Sequence, residues 1–154
     1  MSEFQFWDHN GNLVAGKDID YFDNPGAGYA SDPQEVINYA AAHDNETLFD
    51  ISHYKLPVAT STDDRVRVAN LANSIIALSQ GVPFFHAGQD MLRSKSMDRN
   101  SYNSGDWFNV LDFSYETNGW GRGMPPYGDN QNRWGEISTL LGNPALGDID
   151  HKDI

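Results

Sequence analysis

Two polar clusters, each placed directly after an apolar run, carry most of the chemistry this chain can do. In YAAAHDNETLFD (residues 39–50), His43 and Asp44 follow Tyr39 and three alanines. In VPFFHAGQD (82–90), His86 is followed by Gln89 and Asp90. An Asp held in a partly dry site can hydrogen-bond the vicinal hydroxyls of a sugar, and an adjacent imidazole can do the same. The plain alternative is that Asp44 only caps a turn or helix at the end of a strand. Spacing alone leaves both readings open.

Position along the fold separates them further. The run EVINYAAA (35–42) is strand-like. Ser61 with Asp64 three residues on forms an approximate capping box, and Asp63 suits the positive end of the helix dipole. Val68, Leu71, Ala72, Ile75 and Ile76 then follow the spacing of one apolar helix face, with Arg65, Arg67, Asn70 and Asn73 largely off it. Gly81 ends the helix, and VPFFH (82–86) reads as a second strand. Strand, polar loop, helix, strand and polar loop make a βαβ unit. In a parallel barrel the active site lies at the carboxyl ends of the strands, so both polar clusters are expected on one face.

The flanking segments are less patterned. FQFWDHNGNLV (4–14) predicts a hairpin turning at Asn10-Gly11 in a type I′ turn. Residues 1–34 are a loop-rich entry segment, with 23–33 (DNPGAGYASDP) a loop punctuated by Pro and Gly. From 93 to 134 the chain is polar and aromatic without periodicity, a length of loop that is usually functional. RWGEISTLL (133–141) predicts a short helix, and 143–154 has no pattern.

Composition removes several classes of function. The 154 residues include 22 acidic and 10 basic side chains, a formal charge of −12 that repels phosphate backbones, so no nucleic-acid partner is expected. No stretch is long and apolar enough to span a bilayer, and no signal-peptide pattern opens the chain. Cysteine is absent, which excludes disulfide and thiolate chemistry. Asp8-x-Asn10-x-Asn12 begins like a calcium loop, but Leu13 and Ile19 stand where Gly and Glu are needed. The five His show no zinc spacing, and G-x-S-x-G is absent. No cofactor or metal site is expected from these patterns.

EVINYAAAHDNETLFD resembles the fourth sequence region of the alpha-amylase superfamily of glycoside hydrolases. GVPFFHAGQDMLRSKSMDRNSYNSGDWFN is similar to the strand-eight segment of type I pullulanases and limit dextrinases, and GYASDPQEVINY and GWGRGMPPYGDNQNRW fit the same subfamily. The resemblance runs from about residue 17 to the end. It implies an α/β fold, part of a (β/α)₈ TIM barrel comprising strand seven, helix seven, strand eight and a long following loop. It also implies cleavage of α-1,6 linkages in pullulan, amylopectin and limit dextrins, with retention at the anomeric carbon.

By position, Asp44 resembles the family's third catalytic carboxylate, which stabilises the oxocarbenium-like transition state. His43 resembles its substrate-binding neighbour. Asn100 and Tyr102 fall in a loop lining the cleft, Asn100 standing where many relatives carry Asp. Arg93 is a further substrate-binding candidate, equally readable with Asp106 as an ion pair fixing the loop. The family's nucleophile Asp and acid/base Glu lie on earlier strands, and this chain has no counterpart for them. The expectation is therefore a C-terminal piece of a catalytic domain, inactive by itself, whose partners are a branched α-glucan and the N-terminal remainder of the enzyme. The alternative is an inactive glucan-binding remnant or a truncated reading frame. The resemblance leaves calcium open, and extracellular or cell-surface residence as well.

Overall fold

A carboxylate, rather than a two-residue turn, closes the N-terminal hairpin. Strands β1 (Gln5–Trp7) and β2 (Leu13–Ala15) pair antiparallel, with Trp7 opposite Leu13. Asp8 Oδ1 accepts from the backbone N–H groups of Asn10 and Asn12, at 2.9 and 2.8 Å. Gly11 takes φ +78°, but Asn10 does not turn left-handed, so the expected type I′ turn is replaced by a longer Asp-centred loop. The same bonds occupy the carboxylate that opened the calcium-like pattern. The computed structural model describes residues 2–22, 26–147 and 149. Residues 23–25 of the expected loop over 23–33, and the tail past 147 apart from Ile149, lie outside the described residues.

The chain divides into two units, Met1–Asn38 with Leu78–Phe84, and Tyr39–Ala77 with Phe85–Ile154. The first holds the hairpin and a parallel pair, β3 (Ile37–Asn38) and β4 (Val82–Pro83), with Ile37 opposite Val82. Val82 N–H donates to Val36 O at 2.8 Å and Phe84 N–H to Asn38 O at 2.9 Å. Parallel neighbours need a long crossover, and the chain between them supplies it with helices. Gly81 allows this approach: its φ is +122°, and a Cβ there would lie 2.8 Å from Val36 O. Both strands are shorter than the expected runs 35–42 and 82–86. Among the described residues the strands form two two-stranded pairs and no closed barrel.

The second unit is helical. Helix α1 (Leu48–Lys55) is absent from the sequence expectations, although its start is written locally: Thr47 Oγ1 accepts from Asp50 N–H at 3.1 Å. Helix α2 (Thr62–Leu78) begins as expected, with Ser61 Oγ accepting from Asp64 N–H at 3.2 Å. Its packed face differs from the expected one. Arg65, Ala69 and Ile76 are buried, whereas Leu71 and Ile75 are 60% and 59% exposed and Val68 is also exposed. Arg65 is buried because its guanidinium ties α2 to the connection that follows α1, donating to Pro57 O at 3.0 Å and Thr60 O at 3.3 Å.

Beyond α2, the long segment contains short helices α3 (Asp106–Asn109) and α4 (Tyr127–Asn130), then α5 (Trp134–Leu141), close to the predicted 133–141. Two apolar clusters hold the unit. One joins Met97, Ile137, Leu140 and Leu146; the other joins Phe49, Ala69 and Leu92. Trp120 packs against both. His53 stacks on its indole with centroids 4.2 Å apart, and Phe49 meets it edge-on at 5.8 Å.

The contrast between packed and open apolar side chains is measurable. Ile137→Ala, in the centre of a cluster, should lower unfolding free energy by about 2–5 kcal/mol. Leu71→Ala, on the open face of α2, should stay within about 0.5 kcal/mol of the parent. Urea unfolding followed by far-ultraviolet circular dichroism distinguishes the two; equal losses would contradict the packing described.

Candidate functional site

The turn after Ala42 presents His43 and Asp44 to solvent, with side chains 84% and 73% exposed and His43 Nε2 3.6 Å from Asp44 Oδ1. The turn is tight because Asn45 adopts a left-handed φ of +61°, a conformation Asn tolerates better than most residues. It is anchored from a distant segment. Lys95 Nζ donates to Asn45 O at 2.8 Å and to His43 O at 3.3 Å, and Arg99 Nη2 reaches Asn45 Oδ1 at 3.4 Å. Asp44 and Asn45 line hollows on both sides of the turn. One, of about 390 Å³, includes Tyr39, the three alanines and Ile51; the other, of about 410 Å³, includes Arg99, Asn100 and Asp129.

The second hollow is polar and brings two of the sequence candidates together. Asn100, fifty-six residues from Asp44, is placed there by Asp98, whose Oδ1 accepts from Asn100 N–H at 3.0 Å. Asp98 also accepts from Ser104 Oγ at 2.5 Å and from the buried Asn130 amide at 3.0 Å. Asn130 completes the arrangement by accepting from Arg99 N–H at 3.1 Å. This carboxylate and amide order a loop that has no periodic pattern. Arg99 and Asp129 are the cleft residues that sequence reading missed. Their signal was the interleaving of charged residues with the buried Asp98 and Asn130, which has no periodicity to expose it.

The other candidates sit differently. Tyr102 is 82% exposed and does not line this cleft. Arg93 donates to Asn109 O at 2.6 Å, Ala87 O at 3.1 Å and His86 Nε2 at 3.2 Å. The ion pair envisaged between Arg93 and Asp106 is not formed; the two terminal nitrogens donate to backbone carbonyls instead, and the buried Nε has no hydrogen-bond partner. The second polar cluster also splits. His86 lies within electrostatic reach of His43, whereas Asp90 faces a separate hollow with Asn73 and Phe85. Among the described residues no group of His, Asp and Glu is arranged to hold a metal ion.

Burial sets the protonation states around the site. Asp50 lies wholly inside, accepting from Ser94 Oγ at 2.5 Å and Lys95 N–H at 2.8 Å, and burial pushes its carboxyl up to about 6 against the pull of these bonds. His53 is pushed down to about 4, mainly by burial. Its Nδ1 carries the proton, facing Phe49 O at 2.9 Å, and its Nε2 has no hydrogen-bond partner. His86 is also pushed down to about 4 by burial and then by the Arg93 guanidinium.

No protein-family model matches the chain. Among curated proteins it is 53% identical over 146 residues to pullulanase 1, chloroplastic, of Arabidopsis thaliana, covering 95% of this chain and 15% of that protein. It is 41% identical over 140 residues to the pullulanase of Klebsiella aerogenes, covering 91% and 13%. Among solved structures, PulA from Klebsiella oxytoca superposes with a TM-score of 0.91 at 35% identity, over 99% of this chain and 14% of that one. Klebsiella pneumoniae pullulanase complexed with maltotriose gives 0.87 at 37%, again over 99% and 14%. The chain thus spans 13–15% of the length of these curated relatives.

The buried groups fix the sign of the acid response. An unfolded His takes its proton near 6.5, while folded His53 and His86 wait until about 4, so their stabilisation is present above 6.5 and lost as pH falls toward 4. Asp50 works in the opposite sense: its contribution is present below 3.8 and lost as pH rises to about 6. Two imidazoles outweigh one carboxyl, so the urea midpoint should rise with pH across this range. Nuclear magnetic resonance titration should find His53 still neutral at about pH 5; an imidazolium there would contradict the buried stack on Trp120.

Proposed function

We propose, for a chain whose homologues over nearly its whole length are pullulanases, that it forms the C-terminal part of the catalytic barrel of a starch- and glycogen-debranching glycoside hydrolase. In this reading β3 and β4 are the seventh and eighth strands of a (β/α)₈ barrel, and α2 crosses over between them. In chain order Asp44 follows β3 and Asn100 follows β4, as active-site residues of a parallel barrel follow its strands. The observation that carries the proposal is the meeting of Asp44 and Asn100 in one polar hollow, from segments far apart in sequence.

The chemistry follows from that geometry. A carboxylate exposed in a cleft can hydrogen-bond sugar hydroxyls in the ground state. As the glycosidic bond breaks, the ring gains positive charge, and the same carboxylate stabilises it more strongly. His43, beside it, offers a further hydrogen bond to the sugar. Retaining hydrolysis also requires a nucleophile and an acid/base carboxyl about 5–5.5 Å apart. Those two groups belong to the remainder of the barrel, so this segment contributes binding and transition-state stabilisation. Maltotriose, bound by Klebsiella pneumoniae pullulanase, points to short α-glucan chains as ligands for the cleft.

In the full-length protein containing this segment, Asp44→Asn should lose about 2.7–4 kcal/mol of transition-state stabilisation, a factor of about 10²–10³ in kcat. His43→Ala should lose less, since the carboxylate remains. Tyr102, with its ring in solvent, can stack on a glucan outside the reacting centre, so Tyr102→Ala should raise KM more than it lowers kcat. Steady-state kinetics on pullulan checks all three. Undiminished turnover by Asp44→Asn would remove the basis for the assignment.

A further inference from the structure

Lys95 is 1% exposed, an unusual place for an ammonium group. A buried cation is costly unless its donors are matched, and among the described residues no carboxylate forms an ion pair with this one. Its Nζ instead donates to two backbone carbonyls, His43 O and Asn45 O. Those residues flank Asp44 in sequence. One buried charge therefore grips the chain immediately before and immediately after the exposed carboxylate.

The base of this lever is equally fixed. Lys95 N–H donates to Asp50 Oδ2, and its neighbour Ser94 donates through Oγ to Asp50 Oδ1. Asp50 in turn stands in the first turn of α1, the helix that follows the Asp44 turn. The segment 94–95, helix α1 and the turn 43–45 thus form a closed hydrogen-bonded loop. Lysine suits this position because a compact ammonium can serve two carbonyls at once, whereas an apolar side chain of similar length would leave both unpaired. The left-handed Asn45, a residue type that tolerates this conformation, is held between these anchors.

We propose that Lys95 is a positioning residue, whose buried ammonium holds the His43 and Asn45 carbonyls so that the intervening Asp44 carboxylate is presented to the cleft. This rests on the reading of Asp44 as the transition-state carboxylate. It adds a residue that touches no substrate, yet sets the orientation of one that does.

The test uses the full-length protein with Lys95→Met, which keeps the stem and removes the donors. Hydrogen exchange at the amides of 44–46 should quicken about 10- to 100-fold, while Trp134–Leu141 stays as protected as in the parent. On pullulan, kcat should fall with KM little changed, and Lys95→Met combined with Asp44→Asn should be no slower than Asp44→Asn alone. Unchanged exchange at 44–46, equal loss of protection in Trp134–Leu141, or additive kinetic losses would each overturn the proposal. Should Lys95→Met fail to fold, Lys95→Gln, with one donor group on a shorter stem, should show the same local quickening at smaller size, and its absence is equally fatal. If exchange quickens locally while Asp44→Asn keeps full turnover, the catalytic reading of Asp44 falls and the positioning role with it, leaving only a tether.

Discussion

The buried carboxylate of Asp50 joins helix α1 to the segment at 94–95, and much of the larger unit is arranged around that contact. The backbone N–H of the same residue donates to Thr47 Oγ1 in the cap of α1, while the carboxylate accepts from Ser94 Oγ and Lys95 N–H across forty-four and forty-five residues of sequence. A carboxylate without water must find donors, and these are the ones the fold supplies. Once they are in place, the segment 94–98 runs through the interior, with Ser94, Lys95, Ser96, Met97 and Asp98 all buried. Met97 enters an apolar cluster, Asp98 orders the loop of Asn100, and Lys95 reaches the Asp44 turn. Apolar packing gives the unit its cohesion, but this polar contact sets its register.

That arrangement explains why the cleft can be assembled from irregular chain. Loops seldom hold side chains to a tolerance useful for catalysis unless a rigid support constrains them. Here the support consists of buried polar side chains that bind backbone directly: Asp98 and Asn130 under the Asn100 loop, and Lys95 under the Asp44 turn. Gly119 permits a close passage beside the segment at 94–95, since at φ +92° a Cβ would lie 2.5 Å from Ser94 O. A buried network of this kind is all or nothing, because each unsatisfied member costs more than an absent one.

What the sequence revealed follows the range of the interactions concerned. The start of α2, α5 and the parallel pair were legible because caps, glycines and periodicity act over a few residues. Helix α1 was overlooked, although Thr47 and Asp50 form its cap, because its eight residues carry too little periodicity to stand out. The inward face of α2 was misjudged because Arg65 is buried through carbonyls of Pro57 and Thr60, which no helical wheel contains. Asp44 and Asn100 are candidates by resemblance, while Arg99 and the Lys95 support depend on contacts across fifty or more residues, and Asp129 joins them only in the hollow. Arg93 is open in the sequence to two readings, substrate contact or an ion pair with Asp106, and in the fold its terminal nitrogens meet backbone carbonyls in place of that carboxylate.

Among the described residues Trp120 packs against both apolar clusters, and the neutral imidazole of His53 lies flat against it. An indole in that position is an optical gauge already built into the protein. Imidazolium quenches indole emission far more effectively than neutral imidazole, and loosening either cluster would admit water to the ring. Light emitted at Trp120 therefore reports the acid state and the integrity of the whole helical unit together, without any label being attached.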